Sequence, residues 1–143
     1  MRKNAREDAF RILFEQLVNE GSADEKLERY FSALEEKADE EEKFYINKPV
    51  GVDNDYIRQV ISGVEENIEI INKHIEENLM GWEFDRVSKI SIAVLRLAIF
   101  EILYMDDIPA QVSANEAVTI AKKYDCPSAG SFVNGVLGKV IGE

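Results

Sequence analysis

Apolar residues recur at spacings of three and four along almost the whole chain, the period of amphipathic helices. Ala9, Phe10, Leu13, Phe14 and Leu17 form one stripe opposite Glu7, Asp8, Arg11 and Glu15. This predicts a first helix capped by Asn4 and ended by Gly21. A second helix is expected from Ala23 to Lys37, burying Leu27, Tyr30, Phe31 and Leu34. Residues 35–51 then read as a loop, with an acidic run from Asp39 to Glu42 and a turn at Pro49–Gly51. Asp53 or Asn54 caps a long third helix carrying Tyr56, Ile57, Val60, Ile61, Val64, Ile68, Ile71, Ile75 and Leu79. Gly63 inside it suggests a close crossing or a bend, and Gly81 ends it, leaving Trp82 and Phe84 to plug the core at the corner.

A fourth helix opens at Asp85 or Ser88. Val87, Ile90, Ala93, Val94, Leu97, Ala98, Phe100 and Leu103 cover most of its circumference, so it is expected to be buried at the centre. Ile108-Pro109 breaks the pattern. Ser113 followed by Glu116 reads as a capping box for a fifth helix that reaches Tyr124. Cys126-Pro127 separates it from a short last helix, Phe132 to Ile141. No strand pattern and no internal repeat emerge. The expectation is an all-α domain over 1–143, with an N-terminal half of about 1–80 and a C-terminal half of about 81–143.

Composition narrows the function classes. With 143 residues, one domain with a real core is feasible without disulfides or metal. The 45% apolar and 31% charged content is globular rather than disordered. One cysteine, Cys126, and one histidine, His74, leave disulfides, zinc sites and catalytic triads short of members. Asp53-Asn54-Asp55 begins like a calcium loop, but Arg58 stands where that loop needs glycine. No phosphate-binding glycine loop is present, and Ser128 and Ser131 have no nearby base. The chain therefore reads as a non-enzyme with no cofactor and no metal. No apolar leader opens it, and Ile90–Met105 is too short and too charged to span a membrane. A soluble cytoplasmic protein is expected.

Two sets of charges stand out. Arg96 interrupts the most apolar helix and must reach solvent or meet an acceptor; Glu116 on the next helix is its candidate partner in a structural ion pair. At the N-terminus, Arg2, Lys3, Arg6 and Arg11 face Glu7 and Asp8, a net +2 within a chain of −11, which leaves −13 for the remainder. Arginine and lysine grip phosphates, and Phe14, two turns along the face from Arg6, offers a ring for base stacking. Composition alone favours a solvated helix start for this cluster.

Several segments in order resemble the NusB family of bacterial transcription antitermination factors. They are Ala5-Arg6-Glu7 with Ile12-Leu13-Phe14, Val94-Leu95-Arg96-Leu97-Ala98 with Phe100-Glu101-Ile102-Leu103, Ile108-Pro109 leading to Asn115-Glu116-Ala117, Ile120-Ala121-Lys122, and Phe132-Val133-Asn134-Gly135-Val136-Leu137. The resemblance covers nearly the full length. It implies an all-α fold of two small bundles with about six to seven helices. It also implies binding of single-stranded boxA RNA from ribosomal RNA operon leaders, as a heterodimer with NusE, the small-subunit ribosomal protein. Other Nus factors and RNA polymerase are engaged indirectly, and no catalysis is implied. The family's arginine-rich motif falls on Arg2, Lys3 and Arg6, its RNA-proximal aromatic on Phe14, and the segment bordering the RNA on Phe132 and Asn134. Asn4 stands where relatives often carry another arginine, and Phe14 lacks a tyrosine's hydroxyl. RNA binding by the chain alone is therefore expected to be weak and to strengthen with NusE.

Two other readings accompany this one. The chain could be a stand-alone RNA-targeting module related to the domain fused to RNA cytosine methyltransferases, although 143 residues leave no room for the catalytic half. It could instead be a helical interaction protein without an RNA role, forming a homodimer through exposed apolar surface.

Overall fold

The computed structural model describes residues 3–19, 21–41 and 51–142, with side chains for 5–19, 21–33 and 53–142. The fold is all-α. Among the described residues seven helices follow one another: α1 (Lys3–Val18), α2 (Ala23–Glu41), α3 (Gly51–Glu66), α4 (Ile68–Glu77), α5 (Lys89–Tyr104), α6 (Ala110–Tyr124) and α7 (Pro127–Ile141). One 3₁₀ turn, Phe84–Arg86, lies between α4 and α5. The chain forms two compact units, Met1–Glu65 and Glu66–Glu143.

In the first unit, the apolar stripe of α1 buries Ala5, Ala9, Phe10, Ile12 and Leu13, while α3 buries Tyr56, Ile57, Val60, Ile61 and Val64. The seam between α1 and α2 is polar. Glu15 Oε1 accepts from Lys26 Nζ at 3.1 Å and from Arg29 Nη1 at 2.8 Å. Asp8 Oδ1 accepts from Arg11 at 3.2 Å, and Asp8 Oδ2 from the Tyr30 hydroxyl at 2.7 Å. The Lys26 side chain is only 2% exposed, so Glu15 supplies the counter-charge for a nearly desolvated ammonium. Gly21, at φ +148°, turns the chain between α1 and α2 in a conformation that L side chains rarely adopt. The backbone N–H of Ala23, the first residue of α2, donates to the Glu65 carboxylate on α3. The Arg58 guanidinium lies 4.1 Å from the centroid of the Phe31 ring.

The second unit is built around α5, which packs against α4, α6 and α7. From Ser91 to Glu101 every residue is buried except the half-buried Arg96. Ser88 caps α5, its Oγ accepting from the Ser91 N–H at 3.1 Å. The one carboxylate inside this helix, Glu101 at 1% exposure, accepts from Ser113 Oγ of α6 at 2.8 Å. On α7, Ala129, Gly130, Val133, Val136, Leu137 and Val140 complete the core.

The structure departs from the sequence expectations at several places, among them the start of α3 at Gly51, ahead of the expected caps Asp53 and Asn54. Asn4 lies inside α1, which already includes Lys3. Helix α2 continues to Glu41, four residues past Lys37, because Glu35, Glu36, Lys37 and Ala38 are all good helix formers; the remainder of the expected acidic insertion, 42–50, lies outside the described residues. The single long third helix is two helices, interrupted at Asn67, where φ −113° and ψ 21° leave the α region. Asparagine competes with the helix through its own side chain, and the isoleucine spacing runs on unbroken past it. Trp82 and Phe84 do not plug the core: Trp82 is 59% exposed and Phe84 half-buried. The cause is the backbone before them, where Met80 (φ 55°) and Gly81 (φ 91°) are both left-handed and carry the chain outward.

The expected capping box at Ser113 does not form. Helix α6 starts at Ala110, with Pro109 as its N-cap, and the Pro109 carbonyl accepts from the N–H groups of Val112 and Ser113. The Ser113 hydroxyl is committed to Glu101 instead. Helix α7 starts at Pro127, five residues before Phe132, since proline is preorganised for a first helical position. Arg96 was expected to pair with Glu116. Among the described residues, its hydrogen bond runs to α4 instead, Nε donating to Asn72 Oδ1 at 3.1 Å. Burial pulls the Arg96 pKa down from its ordinary value, and an amide acceptor satisfies the cation without burying a second charge.

Two stability predictions follow from these polar contacts. Ser113→Ala leaves the Glu101 carboxylate short of a donor in the core, and urea unfolding should show a loss of about 1.5–3 kcal/mol; a change below about 0.5 kcal/mol would mean that this hydrogen bond is marginal. Glu15→Ala strands the buried Lys26 ammonium and should cost on the order of 2 kcal/mol, discounted because Glu15 is partly exposed. Lys26→Met removes the charge with little loss of packing and should be close to neutral. Equal losses in the two variants would refute the desolvated-ammonium account.

Candidate nucleic-acid interface

The candidate RNA residues fall on two elements in different units, α1 in the first and α7 in the second. On α1, Arg6, Phe10 and Phe14 are four residues apart and share one helical stripe. The Phe10 and Phe14 rings are tilted by 33° with centroids 6.3 Å apart. Phe10 is in the core at 3% exposure, whereas Phe14 is half-buried and keeps part of its ring accessible. Arg6 is only 6% exposed and is engaged by neighbouring groups. Its guanidinium is therefore held within the unit, which the charge pattern alone does not reveal. Lys3 is the first residue of α1, but its side chain, like the whole of Arg2, lies outside the described residues. Arg11 is exposed and bonded to Asp8 one turn back.

A cleft of about 360 Å³ opens on the same unit, lined by Asp8, Arg11, Glu15, Lys26, Arg29 and Tyr30 among others. Its cations are already paired with Asp8 and Glu15, which reduces what they can offer an anion.

On α7, Phe132 is half-buried and Asn134 exposed. Two residues apart on a helix, they point in directions about 160° apart. Phe132 meets Trp82 edge to face, with centroids 6.1 Å apart and an interplanar angle of 73°. Asn134 is directed elsewhere on α7. Sequence reasoning missed Trp82 as a surface aromatic. The available signal was Gly81 directly before it, a residue suited to the left-handed turn that swings the indole out of the core.

The remaining reactive side chains do not assemble into a catalytic group. His74 is half-buried on α4. Cys126 is exposed, with Sγ 3.1 Å from Ser128 Oγ. Among the described residues, no cluster of His, Cys, Asp or Glu could hold a metal ion. No described helix is long and apolar enough to cross a membrane.

Comparison with known proteins agrees with this architecture. The NusB family model matches residues 3–142. The transcription antitermination protein NusB of Clostridium botulinum (strain Hall) is 40% identical over 141 residues, covering 98% of this chain and 99% of the relative. Among solved structures, T. maritima NusB superposes with a TM-score of 0.81 at 29% identity, covering 100% of this chain and 92% of that one. A second, named "Crystal Structure of a Plectonemic RNA Supercoil", superposes with a TM-score of 0.76 at 30% identity, covering 98% and 94%. Sequence and fold thus agree over essentially the full length, and the chain belongs to the NusB family.

Proposed function

We propose that this protein is a transcription antitermination factor that binds single-stranded boxA RNA of ribosomal RNA operon leaders, working as a heterodimer with NusE. The observation that carries this reading is the match to the NusB family over residues 3–142. It is supported by the 40% identity to an antitermination protein and by a structural neighbour whose name refers to RNA. The protein acts by binding rather than by catalysis. Other Nus factors and RNA polymerase are engaged through the heterodimer.

The physical division of labour follows from the charges. A chain of net charge −11 repels phosphates over most of its surface and attracts a basic ribosomal protein. RNA contact is then local. Arg2 and Lys3 supply the phosphate-directed charge, Phe14 a partly open ring, and Phe132 and Asn134 a second contact region on α7. Arg6, at 6% exposure, supports the start of α1 and acts on RNA chiefly by holding that helix in place. With so few accessible cations the chain alone binds weakly, and NusE strengthens the complex.

The direct test is fluorescence anisotropy with a labelled boxA RNA of about a dozen nucleotides, a length within the site range of small single-strand binders. The chain is titrated alone and with NusE, at two salt concentrations, against a scrambled RNA. Preference for boxA that grows with NusE is the expected result; no preference even with NusE present would overturn the proposal. If three or four phosphates are neutralised, the log–log salt slope should be roughly −2 to −3. Replacing Arg2 and Lys3 together by alanine should flatten that slope. Phe14→Ala should weaken binding by about 1–3 kcal/mol through lost stacking. Arg6→Ala should lower the unfolding midpoint more than it changes the salt slope.

A further inference from the structure

One groove in the second unit has a composition that a merely structural role does not explain. It has a volume of about 480 Å³, within the range of ligand clefts. The α4–α5 connection forms one side, with Met80 and Trp82; the start of α5 and the α6–α7 corner form the rest, with Ser88, Ser91, Asp125 and Phe132.

Three features of this groove point the same way. The indole of Trp82 is 59% exposed although Phe132 stands beside it, so a large π-face is left to water. That exposure is imposed by the backbone: Met80, a non-glycine residue, is held at φ 55°, a conformation with an energetic cost that persists only where the surroundings enforce it. The third feature is Asp125. Its Oδ2 accepts from Ser88 Oγ at 2.6 Å and from Ser91 Oγ at 3.3 Å, while Oδ1 has no hydrogen bond among the described residues. The carboxylate is thus fixed in orientation by two hydroxyls with one oxygen left to accept. A carboxylate repels a phosphate, whereas it accepts from the amino edge of a base.

We infer that this groove holds one nucleobase of a bound single-stranded RNA, stacked on Trp82 and closed at its edge by Phe132, with Asp125 accepting from the base's amino group. The inference rests on the RNA-binding reading above and adds a site to it. Stacking on an aromatic face is tolerant of base identity. The carboxylate supplies the selection where the base presents its exocyclic amine, favouring cytosine, adenine or guanine over uracil, whose base donor is the ring N3–H alone. The two roles are separable: Trp82 carries affinity, and Asp125 carries the choice of base.

Trp82 is the one tryptophan of the chain, so its fluorescence reports this groove directly. The experiment titrates the full-length chain at low salt with the boxA RNA and follows anisotropy of the labelled RNA and intrinsic fluorescence in parallel. A set of RNAs with a single abasic nucleotide at successive positions accompanies it. Stacking predicts that RNA quenches Trp82, and that an abasic substitution at one position, and not at the others, abolishes the quenching. Trp82→Ala should raise the Kd roughly five- to 150-fold and Trp82→Phe much less, with far-ultraviolet circular dichroism showing that both variants remain folded. Asp125→Asn, which adds a donor, should erase the preference for an amino-bearing base over uracil at that position. Undiminished anisotropy binding by Trp82→Ala, with no quenching in the parent chain, overturns the base site and leaves the proposed function standing. Quenching that no single abasic position relieves overturns it as well. If no RNA raises the anisotropy even with NusE present, the RNA-binding reading itself fails and the base site falls with it.

Discussion

The second unit depends on enclosing one helix that has no polar side. An isolated helix with the composition of α5 would expose apolar surface in every direction, and burial of that surface is the largest favourable term available to the fold. It is satisfied only when α4, α6 and α7 all pack around it. That requirement fixes the other choices in the unit. The two charges inside α5 must find acceptors or donors on the enclosing helices, so Arg96 reaches Asn72 on α4 and Glu101 takes the Ser113 hydroxyl from α6. Each polar contact marks which neighbour lies on which side, in an interior where apolar contacts alone discriminate poorly.

The first unit is organised differently. Its α1–α2 seam is held by carboxylates on α1 that reach donors on α2: Glu15 for Lys26 and Arg29, and Asp8 for Tyr30, while Asp8 also takes Arg11 within α1. A shared acceptor of this kind is directional. It sets the relative position of the two helices where the buried apolar side chains of α2 are few, Ala23 and Leu27 among the described residues.

Much of this was readable from the residue pattern, and the failures have physical causes. The buried α5, its Ser88 cap and the turn at Gly21 all express local rules that agree with the packing, whereas α4 ends at Glu77, short of Gly81. The interruption at Asn67 was not readable, because Ile68, Ile71 and Ile75 continue the three-and-four spacing across it and one asparagine is a weak signal. Ser113 had the right neighbours for a cap, but a buried carboxylate one helix away competes more strongly for its hydroxyl. The same limitation applies to the site. Family likeness pointed to Arg6 and Phe132 as residues, yet it could not say that Arg6 is nearly closed to solvent or that Phe132 has Trp82 for a neighbour. Burial and pairing between distant segments are properties of the folded chain, and periodicity carries neither.

The contact between Met80 and Gly135 has an evolutionary consequence. A Cβ added at Gly135 would lie 2.9 Å from the Met80 methyl carbon and 3.2 Å from its sulfur. The thioether therefore occupies the space that a side chain on α7 would need, while its own backbone sits in a region that most residues avoid. The two positions are not independent under substitution. A larger residue at 135 is tolerated only if the side chain at 80 yields, and a glycine at 80 would relax the backbone while surrendering the contact with α7. Because the thioether is the flexible end of an exposed side chain, it can move aside at small cost, so the two positions are only weakly coupled, a mild link between a helix interior and the loop that presents the lone indole.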